Sequence, residues 1–500
     1  MSDFAQRCGV DDAARQAAVT QALRLMDAKG VDSVRFAWCD LHGMLRAKTL
    51  LGPAVADSLR AGVGMVSTLM LKDTSDRTAY KVFEPGGASA LPGFEGASNL
   101  LLLGDPASFK VLPWAAKTGW IQGQLWFADA RPVELDTRLV LQRALQRLER
   151  AGYGLNCGLE IELHVYRIDD RAHDAALDPE LAAWPGQAPK VSMIHPGYHL
   201  LGEGLSDLAE EPLRIIQQTA LALGLPLRSL EVEFGPSQLE AVFDVTDALT
   251  AADNMVLFRS GVKQALRRAG FHATFMCRPP FPNIMSSGWH LHQSLCFLDA
   301  QASGKSGRNA FMREARAEES QPRDAQFTLS EVGEHYLAGL LAHARASTVF
   351  CTPTVNGYGR FQPNALAPQS VLWGRDNRGA MLRVIGDIGD SATRIENRLG
   401  EPAANPYLYL ASQIHAGLDG MERRLKAPLA TDSPYAERAE RIPTSLTEAL
   451  DALLDDSVLV DAMGRDFVAY MVQVKRSEAS RYEQAEDKTE FFRREYFSRI

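Results

Sequence analysis

The feature that most constrains the fold of this 500-residue chain is a stretch in which apolar and polar residues alternate. From Leu159 to Val165 every odd-numbered residue is apolar and every even-numbered residue is polar. Successive side chains of a β-strand point to opposite faces, so a strand here places Glu160 and Glu162 side by side. Two neighbouring carboxylates repel each other unless a positive group lies between them. The stretch therefore predicts a strand with one apolar face and one acidic face.

The same alternation returns in three later segments of the chain. Their polar residues are Glu231 and Glu233, with Glu240 following after a turn, then His290 and His292, and finally Arg394, Glu396 and Arg398. Any one of these segments alone is typical of a strand with a solvated face. All four together predict a sheet with one apolar face and one face of Glu, His and Arg.

This combination of side chains indicates a particular chemistry. Carboxylates with one or two histidines are the ligands of Mg²⁺ or Mn²⁺, whereas zinc favours more His and Cys. Arginines beside such a site favour phosphate chemistry, in which metal ions and guanidinium groups neutralise a transferring phosphoryl group. The residues therefore predict a metal-dependent enzyme that acts on phosphate groups.

Charge and composition exclude several other classes of protein. Lys and Arg number 53 against 62 Asp and Glu, so the net charge of −9 repels a nucleic-acid backbone. The six cysteines form no C-x-x-C pair, which argues against a zinc ribbon or a redox dithiol. No stretch approaches the roughly 18 uninterrupted apolar residues of a membrane span. We expect a cytoplasmic protein with reduced thiols and with no nucleic-acid or membrane partner.

The chain divides into two parts by its pattern of elements. Residues 1–130 mix short apolar alternations with turns rich in Gly and Pro, which predicts a small sheet-containing domain. A long helix then opens a larger unit, 131–500, in which helices alternate with strands. The later helices are predicted at 211–223, 250–269, 330–348 and 405–425.

Several motifs follow one another along the chain, namely Glu160–Glu162, Glu233–Glu240, Ser287–Ser294, Asn356–Arg360, Asn377–Arg378 with Arg383, Arg394–Arg398, and Glu401–Tyr407. In their order and spacing they resemble the motifs of the glutamine synthetase superfamily. The resemblance implies an α+β fold, with an N-terminal β-grasp domain at 1–130. It also implies a catalytic domain at 131–500 whose curved, mostly antiparallel sheet is flanked by helices. Such proteins form homo-oligomeric rings, so we expect a dodecamer with active sites between subunits.

The resemblance also implies a role for each matching residue, with two or three Mg²⁺ or Mn²⁺ ions per active site and ATP as co-substrate. The metal next to the acid substrate would be held by Glu162, Glu233 and Glu240, and the metal between the nucleotide phosphates by Glu160, His290 and Glu396. Arg378 would stabilise the transferring phosphoryl group. The nucleotide side would comprise His292, Ser294, Arg383 and Arg394. Arg360 and Arg398 would clamp the α-carboxylate of L-glutamate, a task that suits the bidentate guanidinium group.

The amine site is where this sequence departs from the family. Family members that use ammonia carry a flap glutamate that binds ammonium and takes its proton, and Leu366 stands at that position. Met285 replaces an asparagine that helps to hold the α-amino group of glutamate, a contact that the carbonyl of Ser286 could still make. Ser391 stands where a lysine near the nucleotide is common. Asp73 matches the N-terminal aspartate that reaches into the neighbouring subunit's amine site, where it has a catalytic role.

We therefore expect an ATP-dependent ligase that joins the γ-carboxyl group of L-glutamate to an organic amine through γ-glutamyl phosphate. A leucine can neither bind a cation nor accept a proton, which favours an amine that is neutral at pH 7. An aromatic, aniline-like amine fits best, as in the γ-glutamyl-amine ligases of aniline degradation. The alternatives are an alkylamine, ethanolamine or polyamine ligase, and an ordinary glutamine synthetase. An inactive structural member is the non-enzyme alternative, and the presence of all six predicted metal ligands argues against it.

Overall fold

Two β-sheets organise the chain in a computed structural model that describes residues 3–87, 91–170, 174–298, 306–314, 328–362 and 366–500. The strands of the first sheet are β1 Ser33–Cys39, β2 Leu45–Leu51, β3 Val63–Val66, β4 Asn99–Gly104, β5 Lys110–Val111 and β6 Thr118–Trp126. They lie in the order β2-β1-β6-β4-β3, with β5 beside β6. β1 and β6 are parallel, and the other pairs are antiparallel.

The second sheet is larger and carries the alternating segments. Its strands are β7 Tyr153–Ile168, β8 Val191–Met193, β9 Leu227–Val232, β10 Gln238–Asp247, β11 Phe271–Thr274, β12 Trp289–Leu298, β13 Ser306–Asn309, β14 Trp373–Arg375, β15 Leu382–Ile385 and β16 Arg394–Gly400. The main path is β14-β15-β16-β12-β7-β10-β9, while β8 and β11 pair with β7 and β13 pairs with β12. Only β14 and β15 are parallel among the described pairs, so the expected mostly antiparallel sheet is confirmed.

Helices pack against this sheet and against one another. Their bounds are α1 Phe4–Arg7, α2 Ala13–Lys29, α3 Gly52–Ala61, α4 Thr137–Arg150, α5 Glu203–Leu208, α6 Glu210–Ala222, α7 Ala248–Ala269, α8 Glu331–Ala342, α9 Ala344–Cys351, α10 Pro406–Glu422, α11 Leu446–Asp455, α12 Ser457–Met463, α13 Arg465–Gln484 and α14 Lys488–Phe492. None of the helices in these described ranges is long and apolar enough to cross a membrane.

The central helix is α10, in which every residue from Pro406 to Gly420 is buried. It packs against α4, α7, α8, α9 and α12, and so it lacks a solvated face over this length. Gly339 of α8 approaches α10 so closely that a Cβ atom there would collide with main-chain atoms of Ala416 and Gly420. The α+β architecture predicted from the sequence is confirmed.

The predicted helices agree with the structure with one exception. The helix expected at 330–348 is two helices, α8 and α9, which are separated at His343. The imidazole of His343 lies against Asp419 of α10 and Asp456, the N-cap of α12, on its two nitrogens. The backbone there, with φ −102° and ψ 13°, departs from helical geometry. The domain boundary between residues 130 and 131 falls in the connection from β6 to α4 and stays a prediction, because both sheets share one continuous core.

Candidate active site

The polar residues of four strands meet on one face of the larger sheet. Strand pairing sets Glu240 of β10 opposite Glu162 of β7, and Glu160 of β7 opposite His290 of β12. His292 of β12 in turn lies opposite Glu396 of β16. The polar face predicted from the alternation is therefore continuous across the centre of the sheet.

These side chains are close enough to share a cation. One ligand atom from each of Glu160, Glu240 and His290 lies within 4.8 Å of the others, and the same holds for Glu160, His292 and Glu396. His290 Nδ1 is 3.3 Å from Glu160 Oε2, and His292 Nε2 is 2.9 Å from Glu160 Oε1. Carboxylate oxygens with one or two imidazoles fit Mg²⁺ or Mn²⁺. How the ligands divide between two ions stays a prediction.

The electrostatics of the cluster also indicate a missing positive charge. Burial raises the pKa of Glu162, and the nearby Glu233 raises it further. Burial and the surrounding carboxylates Glu162 and Glu160 likewise raise the pKa of Glu240. Because these groups gain protons when no other cation is present, a divalent ion that replaces those protons would relieve the repulsion.

Two members of the same face are held ionised instead. Burial alone would raise the pKa of Glu160, but bonds from His290 and His292 outweigh it and hold that pKa well below its usual value. Burial would also raise the pKa of Glu396, but the charges of His290 and Arg398 outweigh it and lower that pKa. The face therefore combines carboxylates that tend to hold protons with carboxylates that stay charged.

The two predicted glutamate-binding arginines are both buried next to the cluster. Arg360 Nη1 donates to the main-chain oxygens of Arg398 at 2.8 Å and Gly400 at 3.3 Å. Gly288 lies so close that a Cβ atom there would be 2.6 Å from Arg360 Nη2. Among the described residues no ion pair includes Arg360, so its guanidinium group remains available to an anion. Arg398 instead pairs with Glu396.

A cleft of about 780 Å³ opens beside the metal-ligand cluster. Three of the predicted nucleotide-side residues, His292, Ser294 and Arg394, line it. Arg394 Nε donates to His292 Nδ1 at 3.1 Å, which joins the cleft to the cluster. Arg383 lies outside the lining and binds Glu396 at 2.9 Å, so its predicted contact with ATP stays a prediction. Ser391, the departure from the family lysine, also lines the cleft.

Neither Arg378 nor Asp73 belongs to the groups of side chains that could hold a cation. Arg378 is exposed in the turn between β14 and β15, and its phosphoryl role stays a prediction. Asp73 is fully buried in its own chain, where Oδ2 binds Arg481 at 2.8 Å. Its Oδ1 accepts bonds from the backbone of Ser75 and Arg77. The carboxylate is thus fully bonded within its own chain, and these contacts give no support to the predicted role in a neighbour's amine site.

Leu366, at the predicted flap position, has an exposed side chain. Leu366 is 59% exposed and has a φ of +52°, a left-handed conformation that is unfavourable for leucine. The segment is held by Arg398 Nη2, 3.4 Å from the Leu366 oxygen, and by Tyr435, whose hydroxyl donates to the Ala367 oxygen at 3.3 Å. Residues 363–365 of the same segment lie outside the described part of the chain. The main chain at Leu366 therefore lies next to Arg398 of the predicted glutamate clamp.

Gln238, which is not among the predicted site residues, orients a predicted metal ligand. Gln238 is buried, and its Nε2 donates to Glu162 Oε2 at 2.7 Å and to Ser287 Oγ at 3.2 Å. Nε2 also lies 3.3 Å from the oxygen of Ser286. Gln238 precedes Glu240 by two residues on the same strand, so the alternation that identified Glu240 could also have identified it.

Aromatic residues near the cluster were missed as well. Phe234 directly follows Glu233, and its ring meets that of Tyr198 edge-on with centroids 5.7 Å apart. Both rings are partly exposed, at 42% and 51%. Met285 packs on the next residue, Gly235, where an added Cβ would be 2.7 Å from that of Met285. Phe234 continues the alternation of Leu230 and Val232, which could have identified it, whereas Tyr198 lies on a connecting segment.

Known proteins are similar to this chain in both sequence and fold. The family described as "Glutamine synthetase, catalytic domain" matches residues 134–494. A gamma-glutamylanilide synthase of Acinetobacter is 38% identical, over 94% of this chain and 91% of its own. A gamma-glutamylethanolamide synthetase of Streptomyces coelicolor is 30% identical, over 92% of each chain.

Solved structures agree with the sequence comparisons. A complex of GmaS with ADP has a TM-score of 0.73 and 27% identity, over 94% of this chain and 98% of the other. The superfamily resemblance read from the motifs and the α+β fold are thus confirmed. The chain belongs to the glutamine synthetase family, whose ATP- and divalent-metal-dependent ligases form a carbon–nitrogen bond between glutamate and an amine.

Proposed function

We propose that this ligase joins the γ-carboxyl group of L-glutamate to an apolar, aromatic amine of the aniline type. The observation that carries the proposal is Leu366, a partly exposed apolar residue held beside Arg398 at the flap. A site for ammonium requires a group that binds a cation and takes a proton, and leucine does neither. The partly exposed rings of Tyr198 and Phe234 offer further apolar surface near Glu233. A relative at 38% identity is named for the anilide product.

In this proposal the arginines bind the acid substrate. The guanidinium group of Arg360, which has no ion-pair partner among the described residues, takes the α-carboxylate of glutamate, with Arg398 beside it. Bound at the carboxylate cluster, divalent ions supply positive charge to the phosphates and to the γ-carboxylate. Gln238 keeps Glu162 oriented, and Arg394 with His292 lines the nucleotide cleft. Arg378 faces the phosphoryl group that moves from ATP to the γ-carboxylate.

The second step forms the amide. The lone pair of the amine attacks the γ-carbonyl carbon of γ-glutamyl phosphate, and the bond from that carbon to the phosphate oxygen breaks. The phosphate leaves with the bonding electrons and accepts the proton that the nitrogen loses. An aromatic amine is neutral at pH 7, so its lone pair is free and no carboxylate has to deprotonate a cation first. An apolar flap is therefore sufficient for this class of amine.

An ethanolamine or alkylamine ligase is the second candidate, because a relative at 30% identity is named for ethanolamide. The hydroxyl of Ser286, held 3.1 Å from Arg278 Nη1, is a polar group that a hydroxylated amine could contact.

We also propose the family's ring assembly, with a dodecamer and active sites between subunits, and a cytoplasmic location.

Phosphate release that depends on ATP and glutamate tests the proposal across ammonia, alkylamines, diamines, ethanolamine and anilines. We expect the highest kcat/KM with an aniline and little turnover with ammonia. The variant Leu366→Glu should weaken use of the aniline by about 1–3 kcal/mol through lost apolar contact, and should improve use of ammonium. Leu366→Met keeps the apolar surface and is the matched control. Preference of the wild type for ammonia over every amine would make ordinary glutamine synthetase the better assignment.

A further inference from the structure

The connection between α10 and α11, residues 423–445, lies beside the segment that leads from the flap to β14. The amide of Ile442 donates to the main-chain oxygen of Gln369 at 3.2 Å. The amide of Thr431 donates to the main-chain oxygen of Trp373, in β14, at 2.9 Å. The connection is thus fixed to this segment at two points.

Tyr435 lies between these two points and contacts the flap. Its hydroxyl donates to the main-chain oxygen of Ala367 at 3.3 Å. The preceding main-chain oxygen, that of Leu366, accepts from Arg398 Nη2 at 3.4 Å. Both bonds are long, so the loss of either one leaves the flap main chain weakly held. Two successive carbonyl groups of the flap are therefore held by side chains from two different parts of the chain.

The ring of Tyr435 also contacts the turn that carries Arg378. A Cβ atom added to Gly379 would lie 3.0 Å from Tyr435 Cε2. Asn377, which precedes Arg378, donates from Nδ2 to the main-chain oxygen of Thr431 at 3.2 Å. The α10–α11 connection therefore contacts the residues on both sides of Arg378.

The Tyr435 side chain is partly buried near the predicted glutamate clamp. Burial raises the pKa of its hydroxyl group, and the charges of Arg398 and Arg360 oppose that rise. Because the usual pKa of tyrosine is about 10, a raised value keeps the group protonated at neutral pH. The hydroxyl is therefore a hydrogen-bond donor to the flap under working conditions.

We propose that Tyr435 is a positioning residue that couples the amine flap to the turn of Arg378. This inference rests on the proposed function, in which Leu366 belongs to the amine site and Arg378 faces the transferred phosphoryl group. The hydroxyl fixes the flap main chain and the ring supports the turn, so the two parts keep one relative position. A flap that is held in place excludes water from γ-glutamyl phosphate and leaves the amine as the nucleophile.

When the flap is not held, water competes with the amine. The oxygen of water adds to the γ-carbonyl carbon, and the bond from that carbon to the phosphate oxygen breaks. The phosphate leaves with the bonding electrons and accepts the proton that water loses. The products are glutamate and phosphate, and no amide forms. The ratio of phosphate released to amide formed therefore measures how firmly the flap is held.

The variant Tyr435→Phe tests the proposal, because it removes the hydroxyl group and keeps the ring. Phosphate and γ-glutamylamide are measured together in the full-length enzyme at saturating ATP, Mg²⁺ and glutamate, with the best amine of the panel. We expect the ratio of phosphate to amide to rise at least about 2-fold over the wild type. The KM for the amine should rise about 2- to 10-fold, the range for one hydrogen bond, while the KM for ATP stays unchanged.

Tyr336→Phe is the matched control, because the hydroxyl of Tyr336 in α8 donates to Gln293 at 2.9 Å. This variant should lower Tm and leave the ratio of phosphate to amide unchanged. A wild-type ratio in Tyr435→Phe would overturn the proposal. An equal rise of the ratio in Tyr336→Phe would overturn it too, since the rise would then reflect a general loss of stability.

A second variant separates the ring from the hydroxyl group. Tyr435→Leu also removes the contact with Gly379, so it should lower kcat for phosphate release below that of Tyr435→Phe. Equal kcat in the two variants would overturn the coupling to the turn of Arg378. If an aniline is not the best amine of the panel, the proposed substrate class fails, whereas the ratio measured with the best amine still decides the role of Tyr435.

Discussion

Removing the amide of Gln238 should weaken metal binding without touching a predicted ligand. In Gln238→Leu, Glu162 loses a donor at 2.7 Å, and Ser287 Oγ loses a partner at 3.2 Å. A hydrogen bond to a charged group contributes about 1.5–3 kcal/mol, which corresponds to about a 10- to 150-fold change in an equilibrium constant. Mutation of a residue that hydrogen-bonds to a metal ligand typically lowers metal affinity or activity by about 10–100-fold, which agrees with this range.

The assay is the Mg²⁺ dependence of phosphate release at saturating ATP and glutamate. We expect the apparent KM for Mg²⁺ in Gln238→Leu to rise about 10–100-fold, and kcat at saturating Mg²⁺ to fall less. Gln293→Leu is the matched control, because Gln293 is equally buried on β12 but bonds Gln413 and Tyr336 on the other side of the sheet. It should lower Tm and leave the Mg²⁺ dependence unchanged. A wild-type Mg²⁺ dependence in Gln238→Leu would refute the positioning role.

Three further predictions concern the cluster, the glutamate clamp and the helix break. Glu162→Gln or Glu396→Gln should abolish phosphate release with every amine, because each removes a ligand charge that Mg²⁺ requires; near-wild-type turnover would contradict the metal assignment. Arg360→Lys should raise the KM for glutamate more than that for ATP, since a point charge cannot reproduce a bidentate clamp, and a change confined to ATP would reverse the assignment. His343→Gln should lower Tm more in mild acid than in alkaline solution, as measured by thermal unfolding across pH.

The sign of the His343 effect follows from its partners. Burial lowers the pKa of His343, but the bonds to Asp456 and Asp419 outweigh it and raise the pKa above its usual value. The folded chain therefore binds this proton more tightly than the unfolded chain. The stabilisation is complete below the unfolded pKa of about 6.5 and is lost as pH rises through the raised folded value. A larger loss of Tm in alkaline solution would contradict the ion pairs.

Local periodicity was enough to predict most of the polar face of the larger sheet. Glu160 and Glu162 share a face because strand side chains alternate, and this holds whatever the strand packs against. The apolar periods that predicted α6, α7 and α10 are local in the same sense. The break between α8 and α9 could not be predicted, because His343 is held by acids on α10 and α12 that are distant in sequence.

The tertiary structure decided which of these residues meet. The order β10-β7-β12-β16 brings Glu240 to Glu162 and His290 to Glu160, although β12 lies over 120 residues after β7 in the chain. The pairing of such distant strands depends on how the whole core packs, so a local sequence pattern cannot predict it. Burial decided the state of individual side chains in the same way. Asp73 is an acid in a polar stretch of sequence, yet Arg481, some 400 residues later, binds it inside its own chain.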